Sequence, residues 1–136
     1  MFLKSRENIQ KGTKEGNTDT TTEPRSDDNA SSNPVCVQVQ YRIVGDLRDY
    51  QSLAEAVAPQ LARLPGLRWK LWLLDPPSGD AAGIYLFQDA AAARAFLAGP
   101  TLSDLRRHPA ISGVSTRSLG VITDVTLTTF GARAGI

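Results

Sequence analysis

Apolar and polar residues begin to alternate strictly at Val35. In VCVQVQYRI, Val35, Val37, Val39, Tyr41 and Ile43 interleave with Cys36, Gln38, Gln40 and Arg42. A period of two predicts a strand with one strongly apolar face. Tyr50, Leu53, Ala54, Val57, Leu61 and Leu64 then recur at helical spacing behind the capping candidates Asp46 and Asp49, and Pro65-Gly66 closes the run. This predicts an amphipathic helix, with a kink near residues 55–58 because Pro59 removes a backbone donor. LRWKLWLLD (Leu67–Asp75) predicts a second strand, PPSGD a turn, and AAGIYLF (Ala81–Phe87) a third strand that forms a hairpin with the second. Asp89 is placed to cap an alanine-rich helix, Ala90–Ala98, that turns Ala92, Ala93, Phe96 and Leu97 inward and stops at Gly99-Pro100. Thr101–Arg107 predicts a short helical turn. The β-branched stretch Val114–Thr129, with Leu119, Val121, Val125 and Leu127 in alternation, predicts a last strand bent at Gly120.

The order β-α-β-β-α-β is the split βαβ arrangement, an α+β ferredoxin-like fold in which four antiparallel strands carry both helices on one face. It occupies residues 35–136. Residues 1–34 have only Met1, Phe2, Leu3 and Ile9 as large apolar groups, too few to offset the entropy of ordering, so a disordered leader is expected there. Its five basic and six acidic residues nearly cancel, unlike a nucleic-acid-binding arm.

Two helices cover only one face of such a sheet, and a monomer would need the other face to be polar. It is not. Trp69, Leu71 and Leu73 point one way and Trp72 and Leu74 the other, while Ile84 and Leu86 oppose Tyr85 and Phe87. Each large aromatic side chain presents on the order of 150–250 Å², so an uncovered face of this kind exceeds what soluble monomers tolerate. The expected solution is a homodimer, sheet against sheet, forming a dimeric α/β barrel. Gln38, Gln40, Arg42 and Lys70 would place hydrogen-bonding groups beside aromatic walls, a mixture suited to an organic ligand of modest polarity.

Composition narrows the chemistry. A formal charge of +1 names no polyanionic partner. One cysteine and one histidine cannot supply the three or four ligands of a zinc site. No metal is expected, and a reducing, cytoplasmic setting is. No apolar run approaches the roughly 18 residues of a membrane span.

GLRWKLWLLD (Gly66–Asp75) followed by AAGIYLFQDAAAARAFL (Ala81–Leu97) resembles the signature block of the YdhR-like monooxygenases, within the ferredoxin-like dimeric α/β-barrel superfamily. Trp69-Lys70-x-Trp72 and Gly83-Ile84-Tyr85-Leu86-Phe87 carry the likeness, which extends loosely from Val37 to about Val125. The resemblance implies a homodimer, a buried cavity in each subunit, and oxygenation of an aromatic or quinol-like compound without bound metal or flavin. Oxygenases of this superfamily lean on an active-site asparagine, and this chain has none beyond Asn33.

The ligand-binding candidates are Gln40, Arg42, Trp69, Lys70, Trp72 and Tyr85. Trp69 and Trp72 can stack on a planar substrate or serve packing. Tyr85 can hold a substrate oxygen or be satisfied by a backbone carbonyl. Lys70 and Arg42 can orient a phenolic oxygen or sit at a solvated edge. His108, the one imidazole, joins Tyr85 as a catalytic candidate, although RRHP reads as an exposed turn. Two rivals to the oxygenase stand: a non-catalytic dimer that binds a small aromatic molecule, and an RNA-binding module. RNA-recognition domains share this element order and place stacking aromatics on the third strand. Against the second, the basic residue expected before Gly83 is Ala82, and residues 35–136 hold only ten basic against eight acidic side chains.

Overall fold

A computed structural model describes residues 33–130. The expected leader therefore lies outside the described residues, apart from Asn33 and Pro34. The elements are β1 (Val35–Ile43), α1 (Leu47–Leu61), β2 (Leu67–Asp75), β3 (Asp80–Phe87), α2 (Ala90–Leu97), α3 (Pro100–Arg107), β4 (Ile111–Gly120) and α4 (Thr123–Phe130). The four strands form one antiparallel sheet in the order β2-β3-β1-β4, which is the ferredoxin-like α+β topology.

Local chemistry sets the boundaries. Asp46 caps α1 by accepting the Arg48 N–H at 2.8 Å, and Asp89 caps α2 by accepting the Ala92 N–H at 2.9 Å. Pro59 falls in the last turn of α1, and helical hydrogen bonding continues past it, the Ala62 N–H reaching the Ala58 carbonyl at 2.9 Å. The β2–β3 turn closes when the Ser78 hydroxyl donates to Asp75 Oδ2 at 2.7 Å and accepts the Asp80 N–H at 3.1 Å. Gly79 follows at φ +80°, a left-handed position that favours glycine.

The last element departs from expectation. β4 begins at Ile111 and ends at Gly120, and Thr123–Phe130 is helix, not strand. Gly120 pairs with Val35, and the Val121 N–H takes the Pro34 carbonyl at 3.0 Å, so the ladder on β1 runs out there. Beyond it an extended chain would leave its backbone groups unpaired, whereas a helix satisfies them internally. The threonines adapt: Thr128 and Thr129 hydroxyls donate to the Asp124 and Val125 carbonyls at 3.2 and 3.3 Å, a common helical role for β-branched hydroxyl residues.

The helix-covered face of the sheet is the core. Val37, Val39, Tyr41 and Ile43 of β1 and Tyr85 and Phe87 of β3 are buried against Ala93 and Phe96 of α2 and Leu102 of α3. Ring centroids of Tyr85, Phe87 and Phe96 lie 4.5–6.2 Å apart, within the range of favourable aromatic contact. The opposite face has no helix of its own. It presents Trp69 and Leu73, 39% and 46% exposed, with half-buried Leu71, Ile84 and Leu86. Because Tyr85 and Phe87 are turned inward at 4% and 0% exposure, β3 offers no aromatic platform on the bare face. The RNA-binding rival loses the feature that suggested it.

Candidate active site

Leu53, Ala54 and Val57 lie on the inward stripe of α1 yet are only half buried, because α1 does not close fully onto the sheet. The gap is a cavity of about 280 Å³. Its walls are Tyr41 from β1, Tyr50 and Val57 from α1, Lys70 and Trp72 from β2, and Tyr85 from β3. Pro100, Asp104, Leu105 and His108 close the end formed by α3 and the segment after it. Such a volume lies at the lower end of small-molecule sites, and aromatic walls with a few polar groups are their usual lining.

Strand register brings these residues together. Lys70 pairs with Tyr85 and Trp72 with Gly83 across β2 and β3, and Val37 pairs with Tyr85 across β1 and β3. All therefore face the helices. Lys70 Nζ stands 3.2 Å from the Trp72 ring centroid and 4.6 Å from that of Tyr85. Gly83 makes this possible: a Cβ there would come within 2.9 Å of both Lys70 Cε and Tyr85 Cε1. The lysine stem lies on bare backbone.

Burial dominates the electrostatics. Desolvation lowers Lys70 from 10.5 to about 7, equivalent to roughly 5 kcal/mol at about 1.4 kcal/mol per unit. The ring faces offset part of this, by about 2 kcal/mol or more for a desolvated cation, and the lowering by burial brings a neutral amine within reach near neutral pH. No carboxylate pairs with Lys70 among the described residues. Burial also raises Tyr41, Tyr50 and Tyr85, which therefore remain protonated donors. The Tyr41 and Tyr50 hydroxyls bond each other at 2.6 Å, which uses one proton and leaves the other free to donate. Tyr85 is 4% exposed and lines the cavity, and its hydroxyl, which makes no side-chain hydrogen bond among the described residues, is available to donate to a ligand oxygen. His108 Nδ1 accepts the Ala110 N–H at 3.1 Å, which puts the proton of a neutral ring on Nε2.

The sequence candidates thus divide. Lys70, Trp72, Tyr85 and His108 meet in the cavity. Trp69, paired with Leu86, lies on the bare face. Gln40 and Arg42 are on that face too, in an open polar depression of about 560 Å³ with Asp80, Ser112 and Ser115. There Arg42 holds Asp80 at 3.0 Å, both side chains well exposed. The depression is larger, but Tyr41 is the one aromatic residue in its lining, and its charged side chains, Arg42 and Asp80, are both well exposed. Ser103 and Asp104 accept hydrogen bonds from Arg107 at 3.2 and 3.1 Å. Tyr41 and Tyr50 had no distinct signature, since Tyr41 sits in the alternation of β1 and Tyr50 at an ordinary core position of α1. Among the described residues no cluster of His, Cys, Asp or Glu could hold a metal ion, and no helix is long and apolar enough to cross a membrane.

The fold is that of a ferredoxin-like α+β protein with a cavity between its sheet and helices. The model of the family described as "Putative mono-oxygenase ydhR" matches residues 36–132, and the chain belongs to that monooxygenase family. Among solved structures it is similar to SnoaB, a cofactor-independent oxygenase from Streptomyces nogalater, at TM-score 0.56 and 20% identity over 68% of this chain and 97% of that one. Protein SO0527 from Shewanella oneidensis matches at TM-score 0.54 and 9% identity, covering 66% and 92%. The haem degrader MhuD from Mycobacterium tuberculosis, solved with two haems in its active site, matches at 0.51 and 17%, covering 65% and 97%. At these identities the likeness establishes the fold. No curated protein matches the chain.

Proposed function

We propose that this protein is a cofactor-independent monooxygenase that oxidises an aromatic or quinol-like small molecule in the cavity between its sheet and α1. The observation that carries the reading is a lysine amine lying against Trp72 and Tyr85 in a cavity whose other walls are mainly aromatic and aliphatic. Family membership supports the oxygenase class, and SnoaB offers a relative in fold that works without a cofactor. In such chemistry the substrate itself reduces oxygen. For an anthrone, the ring CH2 and O2 become a ring C=O and water, the two C–H bonds supplying the electrons. The protein has to bind the plane of the substrate, exclude water and favour its ionised form. Trp72 and the tyrosines supply the first two functions.

The functional unit is a homodimer that buries the bare sheet face. Trp69 and Leu73 stand exposed there beside half-buried Leu71, Ile84 and Leu86, an apolar surface that a second copy of the sheet would cover.

An oxygen electrode with the full chain and a dihydroxyanthrone separates the possibilities. The oxygenase consumes one O2 per substrate and yields the quinone. Tight, saturable binding without oxygen uptake would instead mean a non-catalytic small-molecule-binding dimer.

A further inference from the structure

We infer that Lys70 is the group that takes the proton from the substrate's phenolic or enolic hydroxyl, and that Gly83 positions it by leaving room for its side chain over the β3 backbone. The inference rests on the cavity being the substrate site and names the acid-base group within it.

The geometry is specific to this lysine. Its Nζ is held against Trp72 and Tyr85, where a planar ligand stacked on either ring would bring a ring hydroxyl to the amine. No carboxylate among the described residues competes for it. The groups facing it from the packed elements are Tyr85 on β3, Tyr41 on β1, Tyr50 on α1, and Asp104 and His108 at the α3 end. The tyrosines are neutral donors, Asp104 is engaged by Arg107 at 3.1 Å, and the His108 Nδ1 lone pair is occupied by the Ala110 N–H. That leaves the Lys70 amine as the base in the cavity that is both desolvated and unpaired, and desolvation lowers it to about 7. The step balances: the substrate O–H bond breaks, an N–H bond forms on Nζ, and the electron pair stays on the substrate oxygen. The ammonium so formed remains beside the oxyanion, and the Tyr85 hydroxyl is a second donor to it. The electron-rich anion then reacts with O2.

The test reads ionisation directly, without turnover. The full-length protein is titrated with 4-nitrophenol, whose anion absorbs in the visible, at pH 6. Wild type is expected to bind it as the anion, lowering the probe's apparent pKa by about one unit or more. Lys70→Met, close in shape, is expected to bind the neutral phenol with no anion band. Lys70→Arg keeps a cation and restores the band. With the anthrone substrate, kcat/KM of wild type is expected to rise as pH passes about 7. In Lys70→Arg, which cannot accept a proton, the rise moves to the substrate's own ionisation. Gly83→Ala is expected to displace this limb while Gly83→Ser, which adds the same Cβ, shifts it alike. An anion band of equal strength in folded Lys70→Met would overturn the inference. An anion band in wild type without oxygen uptake would leave the lysine assignment standing and defeat the oxygenase reading alone.

Discussion

The two faces of the sheet carry their cations under opposite conditions. On the bare face Arg42 extends into solvent and holds Asp80 at 3.0 Å, with both side chains about 60% exposed. On the helix-covered face, Lys70 lies over aromatic rings without a counter-ion and is pushed down to about 7. A solvated ion pair gains little and reacts with nothing. A cation stripped of water and left unpaired is destabilising, and such strain is usually retained where chemistry needs it. The larger depression is therefore a weaker candidate site than the smaller cavity, where a half-buried amine lies unpaired against two rings.

Equivalent truncations on the two faces should behave differently. Phe87 is fully buried, and Phe87→Ala should lower the unfolding free energy by about 3–5 kcal/mol. Leu73 is 46% exposed, so Leu73→Ala should cost less than about 1 kcal/mol in the monomer. Leu73→Asp should leave the fold intact and convert the proposed homodimer to monomer in sedimentation equilibrium. A dimer unaffected by that charge would place the interface elsewhere.

Lys70→Met gives a smaller effect with an unusual sign. Between about pH 7 and 10.5 the unfolded chain holds a proton that the folded one lacks, so wild-type stability rises with pH across that window. Below about 7 the folded protein bears the whole cost of a desolvated ammonium. The variant should therefore be more stable than wild type, on the order of 2 kcal/mol at pH 6 after allowing for lost ring contacts, and the two should converge toward pH 10.5. Denaturant melts across that range check the sign. The smallest change is expected from Arg42→Ala, within about 0.5 kcal/mol at every pH because the pair is solvated.

Periodicity made most of the fold legible. β1, β2, β3, α1 and α2 follow from alternation, helical spacing and the Asp46 and Asp89 caps. α4 was hidden because Val125 and Leu127 alternate like a strand, and only the end of the β1 ladder at Val35 decides against it. The site was half legible. Trp69-Lys70-x-Trp72 shows that Lys70 and Trp72 share a face opposite Trp69, but local pattern cannot say which face the helices cover when both are apolar. Gln40, Arg42 and Lys70 are alike as polar strand residues, and only the pairing of Lys70 with Tyr85 separates the lysine from the other two. Gly83 enters the sequence reading only as part of a motif, and the structure shows that its missing Cβ is the room the Lys70 stem occupies.

The central claim is that the substrate enters the cavity under α1 and not the depression on the bare face. A crystal structure with a hydroxyanthraquinone bound would decide it. The account predicts ligand density stacked on Trp72 with an oxygen within hydrogen-bonding distance of Lys70 Nζ. Density confined to the Gln40, Arg42 and Ser112 depression, with the Trp72 cavity empty, would contradict it.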